Sequence, residues 1–78
     1  MNPDQIIQWV KDKLPESEVV VNDMTGGGDH WEIKVVSGQF EGKKLLERHR
    51  IMHAIMSEPM ASGAVHAVKF KTLTPQEL

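Results

Sequence analysis

Apolar residues recur near the start of the chain at Ile6, Ile7, Val10 and Leu14, a spacing that lines one face of a helix. Asn2 is suited to cap that helix, with Pro3 in its first position and Pro15 as its stop. The pattern then changes. The β-branched run Val19-Val20-Val21 predicts a strand from Glu18 to Met24, and Trp31, Ile33 and Val35 alternate with His30, Glu32 and Lys34 in a second. Gly26-Gly27-Gly28-Asp29 joins the two; three successive glycines exceed the needs of a tight hairpin and predict a mobile loop that can adapt to a partner. Helical periodicity returns from Lys43 to Met56, with Leu45, Leu46, Met52, Ile55 and Met56 on one side, Glu47 and Arg50 towards the other, and an end before Pro59. After Ala61-Ser62-Gly63, residues Ala64 to Leu73 alternate as a third strand, and Thr74-Pro75-Gln76-Glu77 reads as a capping box opening a vestigial helix.

The predicted order is αββαβ(α), an α+β fold with a three-stranded mixed sheet and helices packed on one face. A crossover through a helix returns the chain parallel to its starting strand, with right-handed chirality in nearly all cases. If the second and third strands are neighbours, their amino-terminal ends share one edge of the sheet. His30 opens one strand and His66 lies near the start of the other, so two residues distant in sequence can meet across strands about 4.8 Å apart.

At 78 residues the chain is read as one domain, 1–78. A domain of this size buries only about 60% of the surface its unfolded chain exposes, which leaves no room for a deep, walled active site. Cysteine is absent, which excludes disulfides, thiolate nucleophiles and any all-cysteine metal site of the chain's own. Nine basic residues against 11 acidic ones give a net charge of −2, a poor electrostatic footprint for a phosphate backbone. Protonating all four histidines would turn −2 into +2, so attraction to nucleic acid at acid pH need not persist at neutral pH. No apolar run is long enough to span a membrane, and the amino terminus lacks a basic flank and apolar signal core, so the expected compartment is the cytoplasm.

Each histidine has a plain structural reading. In the Val65-His66-Ala67 context, spacing alone favours a partly buried imidazole facing the core with Val68 and Phe70. His30 falls on the face opposite Trp31 and is expected to be accessible, a solvated residue beside the glycine loop. His49 and His53 have the spacing of a helical zinc pair, but His49 falls among Leu45, Met52 and Met56, and no Glu follows it as the H-E-x-x-H arrangement requires. Packing is the favoured reading for that pair.

Three elements carry a more specific signal: Phe40-Glu41-Gly42-Lys43-Lys44-Leu45-Leu46-Glu47-Arg48-His49-Arg50, then Val65-His66-Ala67, then Leu73-Thr74-Pro75. In that order and spacing the chain resembles the BolA family, small proteins that join monothiol glutaredoxins in handling iron-sulfur clusters. The resemblance implies a fold similar to the class II KH domain and no enzymatic activity. It reverses the reading of His66, because the histidine in this context is the one characteristically implicated in cluster binding, and it offers His30 as a second, weaker candidate ligand.

Two histidines can replace two cysteines on one iron of a [2Fe-2S] cluster. The resemblance thus implies a cluster shared with a monothiol glutaredoxin and its glutathione, which supply thiolates while His66 and His30 supply nitrogens. None is expected on the isolated chain. Because neutral imidazole is the ligand, acid should weaken such binding.

The implied partner surface comprises Gly27 and Gly28 of the loop with Lys43, Lys44, Arg48 and Arg50; the plain alternative is a solvated helix face with an internal Glu47/Arg50 pair. A homodimer stays open. The competing function is a KH-like nucleic-acid-binding transcriptional regulator using Lys43, Lys44, Arg48 and Arg50. Against it, Gly38-Gln39-Phe40-Glu41-Gly42 has one residue too many for a GxxG clamp and contains an acid, and no aromatic residue is interleaved in the basic stretch for stacking.

Overall fold

The computed structural model describes residues 1–24, 26–27 and 30–78. Helix α1 (Pro3–Lys13) starts at a reciprocal cap: Asn2 Oδ1 accepts the Gln5 N–H at 2.8 Å, and Gln5 Oε1 accepts the Asn2 N–H at 2.9 Å. Its inward stripe is Ile6, Val10 and, just past its end, Leu14, all buried. Strand β1 (Glu18–Asp23) runs antiparallel to β2 (His30–Val36), which pairs in parallel with β3 (Ala67–Leu73), in the order β1-β2-β3. The parallel crossover expected between the second and third strands is therefore present, and it passes through helix α2 (Leu45–Ala61).

Trp31, Ile33 and Val35 turn to one side of the sheet and form the core with Ile6, Val10, Phe40, Met52, Met56, Val65 and Phe70. Two helices thus cover one face of a three-stranded mixed sheet. On the other face, β2 and β3 place Glu32 beside Lys69 and Lys34 beside Lys71.

Several expectations need correction. Helix α2 does not stop before Pro59 but continues through it to Ala61. Proline lacks the N–H that would bond the carbonyl four residues earlier, and an unpaired buried carbonyl is costly. Here the indole Nε1–H of Trp9, on α1, donates to the Ile55 carbonyl at 2.7 Å. A side chain 46 residues away in sequence takes the place of the missing donor and pins α1 to α2.

At the other end of α2, Leu45 and Leu46 are exposed, because the helix's buried stretch begins only at Met52. The Glu47/Arg50 pair also does not form: the Glu47 carboxylate reaches back to the Lys44 N–H at 3.4 Å. Strand β3 starts at Ala67, three residues later than the alternation suggests.

A single 3₁₀ turn, Gly38–Phe40, was not anticipated. Ser37 ends the parallel ladder by donating its N–H to the Leu73 carbonyl at 3.0 Å, and its Oγ accepts the Gln39 N–H at 3.1 Å. The turn drops Phe40 fully into the core. The Lys43 N–H then bonds the Phe40 carbonyl at 3.1 Å, and Gly42, at φ +75°, redirects the chain into α2.

The Thr74 capping box is present as a second 3₁₀ turn, Pro75–Glu77. Glu77 Oε1 accepts the Thr74 N–H and an Arg48 Nη1–H, each at 2.7 Å, and the first of these bonds, then the second, lowers the Glu77 carboxyl below its ordinary range. A carboxyl with a depressed folded pKa stabilises the fold above the unfolded value, and that contribution is lost as pH falls through the folded value. In Arg48→Gln, the Glu77 titration midpoint followed by carboxyl NMR should move up while staying below that of an unfolded peptide. An unchanged midpoint would mean that Arg48 does not act on this carboxyl.

Candidate functional site: an imidazole edge

The parallel ladder sets His30 opposite Ala67, so His66 is the next residue along from His30's own partner. Both histidines lie at the edge of the sheet where β2 and β3 begin, and both are exposed. For His30 this matches the alternation, since Trp31, Ile33 and Val35 take the core side.

His66 departs from its expected core-facing position. Because β3 starts at Ala67, the residue turned inward just before it is Val65, which is buried and donates its N–H to the Pro59 carbonyl at 3.2 Å. With Val65 seated in the core and Ala67 entering the sheet, the intervening imidazole is directed to solvent. The carbonyl of Ala64 meanwhile accepts from the amino-terminal ammonium of Met1 at 3.2 Å, so the approach to His66 is held at two successive residues.

Beside this edge is an open depression of about 220 Å³ lined by Met24, His30, Trp31, Ala67, Val68 and Lys69. Its walls are mainly apolar, with imidazole and ammonium groups at the rim. Trp31 lines it, and its buried Nε1–H has no hydrogen-bond partner among the described residues. Met24 was not singled out from the sequence as a site residue. The signal was nevertheless present, because the β1–β2 register continued by one pair sets Met24 opposite His30, and the Met24 N–H donates to the His30 carbonyl at 2.9 Å.

Of the other candidates, Gly27 belongs to the β1–β2 connection that leads into His30, and the cations sit at the start of α2. Gly27 is exposed beyond the end of β1, whereas Gly28 lies outside the described residues, together with the tip of the expected adaptable loop. Lys43 and Lys44 precede α2, which the chain reaches after leaving the far end of β2. Seven residues of strand, about 20 Å, separate that end from His30. The structure therefore does not gather Lys43, Lys44 and Arg48 with the histidines at one edge.

Arg48 is only 12% exposed, and its Nε–H donates to the Lys43 carbonyl at 2.9 Å while Nη1 meets Glu77. Its guanidinium ties the start of α2 to the last turn, leaving Lys43, Lys44 and Arg50 as the more available cations. His49 and His53 both meet the Phe70 ring edge-on, at 6.4 and 5.1 Å between centroids. Among the described residues, no three His, Cys, Asp or Glu side chains cluster closely enough to hold a metal ion.

An αββαβ chain with a parallel crossover, two helices on one face and an exposed histidine leading the last strand defines a class of small α+β proteins. The description "BolA-like protein" matches residues 10–77, and the chain belongs to the BolA family. It is 42% identical over 76 residues to Protein BOLA2 of Arabidopsis thaliana, covering 95% of this chain and 80% of that protein. The structure of a BolA homologue from Coxiella burnetii superposes with a TM-score of 0.84 at 35% identity, over 99% of this chain and 95% of that one. BolA1 from Arabidopsis thaliana superposes with a TM-score of 0.86 at 28% identity, over 100% and 98% of the two chains.

Proposed function

We propose that this protein is a non-enzymatic iron-sulfur trafficking or regulatory factor that forms a complex with a monothiol glutaredoxin and supplies His66 and His30 to a bridging [2Fe-2S] cluster. The observation that carries the reading is the pair of exposed imidazoles at adjacent places on one sheet edge, in a chain without a thiol. The donor set suits half of a mixed site: two nitrogens here, with thiolates from glutaredoxin and its glutathione completing four ligands. The cluster would supply the redox chemistry.

This chain's contribution is to hold two imidazoles at fixed spacing and to cover one side of the site with the apolar walls around Trp31 and Val68. Val65, locked in the core, positions His66; the β1–β2 ladder positions His30. The expected setting is the cytoplasm, in keeping with the absence, among the described residues, of a helix long and apolar enough to cross a membrane.

Anaerobic mixing with a monothiol glutaredoxin, glutathione, iron and sulfide should give a visible circular dichroism spectrum distinct from that of glutaredoxin alone. His66→Ala should abolish the difference, and His30→Ala should weaken or alter it. An unchanged heterodimer spectrum in His66→Ala would overturn the assignment. Nucleic-acid binding is the weaker alternative, because the Gly38–Gly42 stretch is occupied by a turn that buries Phe40 and has no open clamp.

A further inference from the structure

We infer that the start of α2 is a second docking surface, for a partner segment that combines acidic side chains with leucine-like apolar ones. The inference goes beyond the glutaredoxin reading and does not depend on it, because the chain reaches α2 only after leaving the far end of β2, about 20 Å of strand from His30. Leu45 and Leu46 open the helix and are 62% and 63% exposed. Helical periodicity groups them with the core side of α2, yet the buried residues of the helix begin at Met52. A lone exposed leucine carries no information, whereas two in succession on one helical turn make a patch. That turn is held in place: the Arg48 N–H bonds the Lys44 carbonyl at 3.1 Å, and the Arg48 side chain bonds the Lys43 carbonyl at 2.9 Å. The bond from Arg48 to Glu77 at 2.7 Å draws the last turn to the same end of the molecule, where Leu78 is 72% exposed.

The charges around the patch define its occupant. From Lys43 to Arg50 the chain carries four cations and one carboxylate, although its net charge is −2. That carboxylate, Glu47, is turned back to the Lys44 N–H, and Arg48 is taken up by Glu77. Lys43, Lys44 and Arg50 make no salt bridge among the described residues, and Glu41, before the Gly42 turn, can offset only one of them. A nucleic acid would meet these cations but find no aromatic ring in the stretch to stack on. An anionic membrane calls for a longer apolar face than two leucines, and for a basic protein. An acidic segment with apolar side chains answers both halves of the surface: its carboxylates meet Lys44 and Arg50, and its apolar groups cover Leu45 and Leu46. Because the turn is already bonded in place, little of the ordering cost of binding falls on this side. With the imidazole edge engaged as proposed above, this end stays open to a second partner.

The test uses the full ¹⁵N-labelled chain and a fluorescent synthetic peptide of repeated Glu-Leu-Leu-Asp units, with a Glu-Ser-Ser-Asp version as control. The leucine peptide should bind, and the amide shifts it causes should fall on residues 43–50 and on the last turn. Changing both Leu45→Ser and Leu46→Ser should weaken binding at least about tenfold, because the burial of even one leucine is worth that factor. Both side chains are exposed, so the circular dichroism of this variant should match wild type. Lys44→Glu should weaken binding independently, and added salt should do the same. His66→Ala should bind the peptide as wild type does, so failure of the cluster reading would leave this result standing. No binding of the leucine peptide, equal binding of the serine peptide, unchanged affinity in the leucine variant, or shifts gathered around His30 and His66 would overturn the surface. So would binding to phosphatidylglycerol vesicles or single-stranded DNA in place of the peptide.

Discussion

Phe40→Ala should remove about 3–5 kcal/mol of folding stability, the usual cost of emptying a buried aromatic position. Phe40 is completely enclosed in the core, and it arrives there from a short turn and not from a long helix or strand. A turn pinned at Ser37 by the Leu73 carbonyl and at Lys43 by the Phe40 carbonyl has little freedom to collapse into the vacated space. For a chain of 78 residues the whole stability is about 4–12 kcal/mol, so this one truncation consumes a large share of it. Urea denaturation followed by circular dichroism should show the midpoint falling sharply or the native baseline lost, while Phe40→Leu falls much less. A loss below about 1 kcal/mol in Phe40→Ala would mean that the ring is not the keystone its burial implies.

The second large effect concerns Trp9 and Pro59, and it is a coupling. Trp9→Phe keeps a ring on α1 but leaves the Ile55 carbonyl without the indole donor, at a cost of about 1–3 kcal/mol. In a Pro59→Ala background the new backbone N–H lies four residues on from Ile55 and can close the ordinary helical bond. The same Trp9→Phe change should then cost about 1 kcal/mol less, a difference that a double-mutant cycle resolves. Equal costs in the two backgrounds would show that Trp9 acts only by packing.

These two features also mark where the sequence was readable and where it was not. The apolar spacing of Ile6, Val10 and Leu14, the alternation around Trp31 and the proline-headed first helix are local signals, and the structure follows them. The parallel direction of β3 relative to β2 follows from the helical crossover between them, and their being neighbours, on which the shared edge of His30 and His66 depended, is what the sheet order adds. The passage of α2 through Pro59 depends on a donor supplied from α1, and no window around Pro59 contains Trp9. His66 was misplaced for a related reason: extending alternation back from β3 assumes that the strand reaches Ala64, whereas the chain turns Val65 inward first. The family resemblance, not periodicity, singled out the imidazole that the structure then exposes. Arg48 reads as a free surface cation in the sequence because the Glu77 carboxylate and the Lys43 carbonyl that hold it are supplied by the fold.

Imidazole ligation itself is open to direct observation. The heterocomplex would be assembled from this chain grown with ¹⁵N-histidine and an unlabelled glutaredoxin, reduced by one electron, and studied by pulsed electron paramagnetic resonance. Directly bound nitrogen should give strong ¹⁵N hyperfine couplings that disappear in His66→Ala and simplify in His30→Ala. A cluster complex that forms in wild type with no strong ¹⁵N coupling would contradict the proposal that this chain's histidines complete the site.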